Sequence, residues 1–327
     1  MTTRAVVLAG GLGTRMREPD PGVSLSRAQH EAADAGLKAM MPVNGRPFLD
    51  YVLGSLVEAG LPDVALVVAP DHDAIRRHLA AAAPARLAIS LVVQEAPLGT
   101  AHAVLAAEAW SSGESFLVMN GDNLYPVPAL RALAALDEPG FPAFEAEDLV
   151  RTGNIPAERL RAFALATVDE DGYLVSILEK PGDFARERAD LPPEATDVPP
   201  EGADLPPEGG SHEARAEIQP EGADLPPEGG SHESRAEIQP RVASAFRRKI
   251  GYVSMNCWRF DARIFAACRA VPKSRRGEYE LPEAVSLALT QGMRVKAVPA
   301  RGPVLDLSRR ADAADVARRL AGTIPCL

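Results

Sequence analysis

The stretch that most limits how this chain can fold is residues 5–15, AVVLAGGLGTR. Residues 5–8 are an apolar run of strand length, too short for a buried helix. The run breaks into Gly10, Gly11, Leu12 and Gly13, followed by Thr14 and Arg15. A buried strand that opens into glycine-rich backbone presents bare N–H groups to an anion, and a Cβ there would hold a phosphate away. Arg15 ends the loop with a fork of donors suited to phosphate oxygens. The spacing departs from two common phosphate loops. The position three after Gly13 is Met16 rather than glycine, and no Gly-Lys-Ser/Thr follows. Taken alone, these residues also fit a tight strand–helix turn that holds no ligand.

Apolar runs of the same kind recur at 64–68, 89–93 and 116–119. Helical periodicity occupies 47–59, 74–83, 98–109 and 127–136. Strands alternating with helices predict an α/β fold built on a doubly wound, mostly parallel sheet. Ligands of such sheets gather beyond the carboxyl ends of the strands. The glycine loop, Gln94 and Asp122 all follow predicted strands, so the fold brings them to one cleft. Past residue 150 the pattern changes. Segments 163–168 and 174–179 flank the turn Asp169-Glu170-Asp171-Gly172 as a β-hairpin. Residues 250–260 read as one strand with a helix from about Asp261, 281–291 as a helix, 294–298 as a strand and 312–321 as a last helix. Residues 16–37 read as a polar, alanine-rich loop with a short helix from about Leu25, placed to close as a lid.

With 327 residues, 46% of them hydrophobic, the chain can bury one large core or two medium ones. It has no run of 18 apolar residues, and its first residues lack a basic region followed by a long apolar one, so neither a membrane span nor a signal peptide is expected. The three cysteines, Cys257, Cys268 and Cys326, are odd in number and lack metal-ligand spacing. That argues against a disulfide framework or a zinc site and points to the cytoplasm. The net charge of −10 has a local origin: residues 190–240 hold 13 of the 45 acids and two of the 35 bases. The rest is about neutral, which leaves no basic footprint for nucleic acid.

That same stretch contains a tandem repeat. EGADLPPEGGSHEARAEIQP at 201–220 returns at 221–240 with one change, Ala214 against Ser234. Two copies cannot stack a solenoid core, and an acidic, proline-rich, apolar-poor composition favours disorder. Residues 190–240 are therefore expected to be an insertion in a surface loop, joining elements that are neighbours in one lobe. An acidic docking arm is the other reading.

Five segments together carry a resemblance: LAGGLGTRM (8–16), Lys38 before MMPVNGRPFLDYVL (40–53), QEAPLGTAHA (94–103), NGDN (120–123) and LEKP (178–181). In this order they resemble the sugar-1-phosphate nucleotidyltransferases, over residues 4–182 and 250–320. The resemblance implies a Rossmann-like fold with a smaller β-rich lobe on the sugar side, and one nucleotidyltransferase domain over 1–327 interrupted by the insert. It implies transfer of a nucleotidyl group from a nucleoside triphosphate to a sugar 1-phosphate, giving an NDP-sugar and pyrophosphate.

Phosphoryl chemistry of this kind is mostly positioning and charge neutralisation. The resemblance assigns Arg15 to the leaving pyrophosphate and Lys38 to the phosphates near the reacting phosphorus. Leu8, Gly10, Gly11, Gly13, Thr14, Gln94, Gly99 and Thr100 are assigned to the nucleotide. Gln94 has both donor and acceptor for a pyrimidine edge, and the QxxPLGTAHA form resembles uridylyl- and thymidylyltransferases, so UTP or dTTP is expected. Glu179, Lys180 and Asn256 are assigned to the sugar phosphate. Asp122 and Asp306 are expected to hold Mg²⁺, a hard cation that uses one or two carboxylates together with substrate oxygens.

Each residue has a plainer reading. Asp122 can be a turn former, Asp306 a cap, Lys38 a solvated lysine, Arg15 a surface ion-pair partner and Glu179-Lys180 a polar strand end. His102 reads as a packing or hydrogen-bonding histidine, and Trp258 and Phe260 as core. The insert leaves two rivals open: a degenerate binding paralogue of the same fold, and a nucleotidyltransferase for a non-sugar phosphate. A dinucleotide oxidoreductase is disfavoured by the absent third glycine. The sugar and the oligomeric state stay open.

Overall fold

The N-terminal apolar run becomes a strand at the centre of a sheet, with parallel neighbours on both sides. The computed structural model of the protein describes residues 1–82, 84–179 and 250–327; the tandem repeat at 190–240 and Lys180 lie outside the described residues. In chain order the strands are β1 (Arg4–Leu8), β2 (Pro42–Val43), β3 (Arg46–Pro47), β4 (Asp63–Val68), β5 (Ala88–Val93), β6 (Phe116–Asn120), β7 (Asn123–Leu124), β8 (Gly140–Phe144), β9 (Ala164–Val168), β10 (Leu174–Leu178), β11 (Ile250–Ser254), β12 (Trp258–Phe260), β13 (Lys296–Ala300) and β14 (Leu305–Asp306). Ten of them form one sheet in the order β10-β9-β11-β8-β12-β6-β1-β4-β5, with β13 beside β8.

The half containing β6, β1, β4 and β5 is parallel throughout. Strands covered on both faces need no polar alternation, and Ala5, Val6 and Val7 are fully buried. Their side chains divide between two cores, Ala5 and Val7 on one face and Val6 on the other. The first core packs α3 (Phe48–Ala59) and α7 (Val127–Ala135). The second packs α5 (Thr100–Ala106) and the later helices Ile264–Ala270 and Leu281–Thr290. Trp258 and Phe260 lie in the second core with rings stacked at 5.7 Å, as expected for core residues. This is the Rossmann-like parallel layout, extended by an antiparallel, β-rich half that includes the predicted hairpin β9–β10.

Three expectations are corrected. Residues 250–260 are two strands rather than one. The chain breaks at 255–257, where Asn256 takes φ 57°, so that β11 pairs with β9 while β12 pairs with β6. The break accounts for β8, GFPAF, which sequence reasoning missed because Pro142 argues against a central strand. Val253 faces Phe144 and Arg259 faces Gly140, which puts Pro142 opposite the interruption, where its absent N–H leaves no ladder bond unmade. Finally, the strands bounding the insert lie in the same half of the sheet but are not paired with each other. β9 separates β10 from β11 and is antiparallel to both, so β10 and β11 run parallel.

The segment read as a lid is docked on the body. It contains α1 (Thr14–Arg17) and α2 (Arg27–Asp34), the latter opened by a reciprocal cap between Ser26 and Gln29. Gln29 Nε2 donates to the Pro42 carbonyl at 2.9 Å, and Ala33 is fully buried. Buried Arg310 donates to the carbonyls of Met16 and Arg17 at 3.0 and 3.2 Å and to Asp34 at 2.5 Å.

Candidate functional site

The chain runs from β1 to β4 and β5 on one side, then crosses back to β6 on the other. This reversal opens a crevice past the carboxyl ends of β1 and β6, where ligands of doubly wound sheets bind. A cavity of about 460 Å³ lies there. Its walls are the glycine loop, the turn before and after Lys38, the 97–100 turn and the end of β6, with Gln94, Arg276 and Glu278.

The glycines of the loop serve different ends. Gly13 has φ 63°, and a Cβ on it would lie 2.2 Å from the Gly36 carbonyl oxygen. Glycine there is enforced by conformation and by the docked segment together. A Cβ on Gly10 would sit 3.3 Å from the Ala69 nitrogen and from Gln94 Oε1. A Cβ on Gly11 meets nothing within 4 Å, so this glycine keeps open space at the cavity. Leu8, Thr14 and Arg15 line the same wall. Arg15 is exposed and lines the cavity beside Thr14.

Lys38 begins a 3₁₀ turn (Lys38–Met40), and its Nζ lies 2.8 Å from Asp122 Oδ2. The two side chains are 18% and 22% exposed, so the pair sits at the cavity wall rather than in open water. Asp306 lies next door: β14 pairs with β7, and the register puts Asp306 opposite Asn123. Its backbone is held by Asn154, which exchanges two hydrogen bonds with it at 2.7 and 2.8 Å. Its Oδ1 accepts from Asn123 Nδ2 at 3.2 Å and Ser308 Oγ at 2.7 Å, and its Oδ2 accepts from Arg159. Asp306 is 2% exposed and does not line the cavity. Burial and the nearby Asp122 carboxylate push its carboxyl well above the ordinary range, with Arg159 pulling against them.

On the other wall, Gln94 is buried and its amide nitrogen is engaged with the Gly99 carbonyl and with His102 Nδ1, each at 3.1 Å. His102 is thus the hydrogen-bonding histidine expected. Gly99 has φ 108°, and a Cβ there would be 2.5 Å from the Tyr279 carbonyl oxygen. The 272–280 loop is strapped across this turn. Tyr279 N–H donates to Leu98 O at 2.7 Å, Ala101 N–H to Tyr279 O at 2.9 Å, and Leu281 N–H to Thr100 Oγ1 at 2.9 Å. The strap carries Arg276 and Glu278 to the cavity, two residues that sequence reasoning missed. Their signal was present in SRRGEYE, a charged loop with a glycine directly before an amphipathic helix. Arg276 bonds to Glu280 and stands 3.9 Å from Glu179, which brings Glu179 to the cavity's edge.

Asn256 does not line the cavity. Its amide donates to Asn120 Oδ1 at 2.9 Å, and its carbonyl oxygen accepts from Trp258 Nε1 at 3.0 Å, so it supports the end of β6 from behind. Among the described residues no group of three His, Cys, Asp or Glu gathers as a metal cluster.

Comparison with known proteins points one way. A family profile described as "Nucleotidyl transferase" matches residues 4–307. A glucose-1-phosphate thymidylyltransferase of Streptomyces antibioticus is 32% identical over 189 residues, 54% of this chain and 45% of that protein. The bifunctional protein GlmU of Sinorhizobium medicae (strain WSM419) is 35% identical over 164 residues, 48% of this chain and 32% of that protein. The matched stretch thus spans less than half of each of these curated relatives. In shape, the chain is similar to a UDP-glucose pyrophosphorylase crystallised with UDP-glucose, with a TM-score of 0.61 and 14% identity, covering 99% of this chain and 100% of that one. At that identity the likeness concerns the fold alone.

Proposed function

The chain belongs to the nucleotidyl transferase family, and from that premise we propose that it transfers a nucleotidyl group from UTP or dTTP to a sugar 1-phosphate, releasing pyrophosphate. The observation that carries the reading is the Lys38–Asp122 pair, one cation and one carboxylate 2.8 Å apart against the glycine loop. The name of the Streptomyces antibioticus relative, a thymidylyltransferase for glucose 1-phosphate, supports the class of both substrates. The whole of residues 1–327 is read as one such domain carrying an insert.

In this reading the triphosphate lies along the glycine loop. The loop's N–H groups and Arg15 take the β- and γ-phosphates, and the space kept by Gly11 admits them. Lys38 exchanges Asp122 for oxygens near the α-phosphorus. An oxygen of the sugar phosphate attacks that phosphorus in line; the new P–O bond forms as the bond to the bridging oxygen of pyrophosphate breaks. Leu8, Gly10, Gly13, Thr14, Gln94, Gly99 and Thr100 orient the nucleotide, with Gln94 Oε1 facing the base. Glu179, Lys180 and Arg276 hold the sugar phosphate, and Asn256 acts on it through Asn120.

The donor set fits a hard divalent cation. Two carboxylates, Asp122 directly before β7 and Asp306 on β14, repel each other and are each matched by one cationic side chain. Asp122 and Asp306 would hold Mg²⁺, which would supply charge neutralisation on phosphate oxygens. The protein's part is to hold Asp306 on β14, Asp122 directly before β7 and the glycine loop in place.

A matrix of nucleoside triphosphates against sugar 1-phosphates, read by pyrophosphate release, tests the reading. Turnover with UTP or dTTP and a sugar phosphate is expected. Preference for GTP or ATP overturns the base assignment. Release only with a non-sugar phosphate overturns the acceptor, and no release with any pair leaves a binding paralogue.

A further inference from the structure

Arg159 belongs to none of the sequence motifs and does not line the cavity, yet it grips two buried carboxylates at once. Its guanidinium donates to Asp306 Oδ2 and, at 2.6 Å, to Asp312 Oδ1. Asp306 Oδ1 is already saturated by Asn123 and Ser308, so with Arg159 in place only one lone pair of Oδ2 is left. Asp312 is fixed without help from Arg159, because its Oδ2 accepts from the Ser308 and Arg309 N–H groups at 2.9 and 2.8 Å. Asp122, Asp306 and Asp312 are matched by two cations, Lys38 and Arg159. Carboxylates that outnumber the cations matched to them favour a further cation.

We propose that Arg159 is the resident counter-ion of Asp306 and sets how tightly the Asp122–Asp306 pair takes a divalent cation. Asp312 is its second dock, which retains the guanidinium when Asp306 turns to the cation. The proposal rests on the assignment of Asp122 and Asp306 as cation ligands. Arg159 occupies the carboxylate that an entering cation needs and adds a like charge beside it. Removing one unit charge beside the site, at the effective dielectric of a partly buried site, strengthens cation binding by about tenfold or more.

Binding of Mn²⁺ alone to the full-length protein, followed by loss of the free-ion EPR signal, measures this without turnover. Arg159→Met is expected to bind Mn²⁺ more tightly than the natural protein, by about tenfold or more. Arg159→Lys, which keeps the charge, stays close to it, and Asp122→Asn binds more weakly. Should Arg159→Met not fold, Arg159→Gln keeps one donor while losing the charge and reads the same shift. Unchanged or weaker binding by a folded neutral variant, with Asp122→Asn impaired, overturns the role of Arg159. Binding that Asp122→Asn leaves intact overturns the ligand assignment, and the proposal with it.

Discussion

Lys38 Nζ and Asp122 Oδ2 meet at 2.8 Å across 84 residues of chain, at the junction of the glycine loop and the end of β6. Partly exposed ion pairs contribute roughly 0–1 kcal/mol to stability, so their placement bears on chemistry more than on folding. Lys38→Met and Asp122→Asn are each expected to lower kcat by about a hundredfold or more while melting within a few degrees of the natural protein. Pyrophosphate release and thermal unfolding measure the two effects. A folded variant that turns over normally removes that residue from the mechanism.

Two glycines of one loop are expected to respond in opposite ways. Gly13→Ala forces a Cβ to 2.2 Å from the Gly36 carbonyl at φ 63°. A loss of about 2 kcal/mol or more in stability is expected. Gly11→Ala meets no neighbour within 4 Å, so its stability should change by about 0.5 kcal/mol or less, with weaker triphosphate binding instead. Denaturant midpoints and nucleotide titrations separate them. Equal stability losses, or unimpaired binding by Gly11→Ala, contradict this reading of the loop.

Asp306 makes stability depend on pH in an unusual direction. Its carboxyl is raised from 3.8 to about 6 in the fold, chiefly by burial and the Asp122 charge. A raised acid favours the protonated folded state, so this contribution is present below pH 3.8 and lost as pH rises through about 6. Asp306→Asn has no such loss. In EDTA, the natural protein should fall relative to Asp306→Asn by on the order of 2–3 kcal/mol between acid and neutral pH. Urea midpoints across that range check it, and two parallel curves refute it.

The topology around β9 limits what can be cut from the insert. Parallel strands β10 and β11 on either side of β9 need a crossover, typically of about a dozen residues. Deleting 190–240 leaves 179–189 and 241–249 between Leu178 and Ile250, enough for that path, and should preserve folding and turnover. Deleting 181–248 leaves only Glu179, Lys180 and Lys249. Such a chain cannot pass from one side of β9 to the other and should not fold. Expression, circular dichroism and pyrophosphate release on both deletions test this; an unfolded first deletion or a folded second one contradicts it.

The parallel half was legible in the linear pattern because its causes are local. Continuous apolar runs mark strands buried on both faces, helical periodicity marks their covers, and Gly60 ends α3 with φ 80° as a C-terminal glycine should. The glycine loop, Gln94 and Asp122 were legible for the same reason, since a strand's end and the loop after it are short-range features, whereas Lys38 and Gly99 were read from the family resemblance. The antiparallel half was less so. Pro142 in β8 contradicts strand propensity and is tolerated only because a strand far along the chain is broken opposite it.

Residue order along the chain was therefore enough to state a Rossmann-like sheet and to name several residues on its crevice, though not Arg276 or Glu278. Only the folded chain decided which charges meet. Lys38 sits on Asp122, Arg159 bridges Asp306 and Asp312, and Arg276 reaches the cavity on a strap fastened to the 97–100 turn. Backbone conformation follows from neighbours a few positions away, and its signature survives in the sequence. The strength of a charge pair depends on distance and on how much water the surrounding packing removes, and both are set by residues far away along the chain.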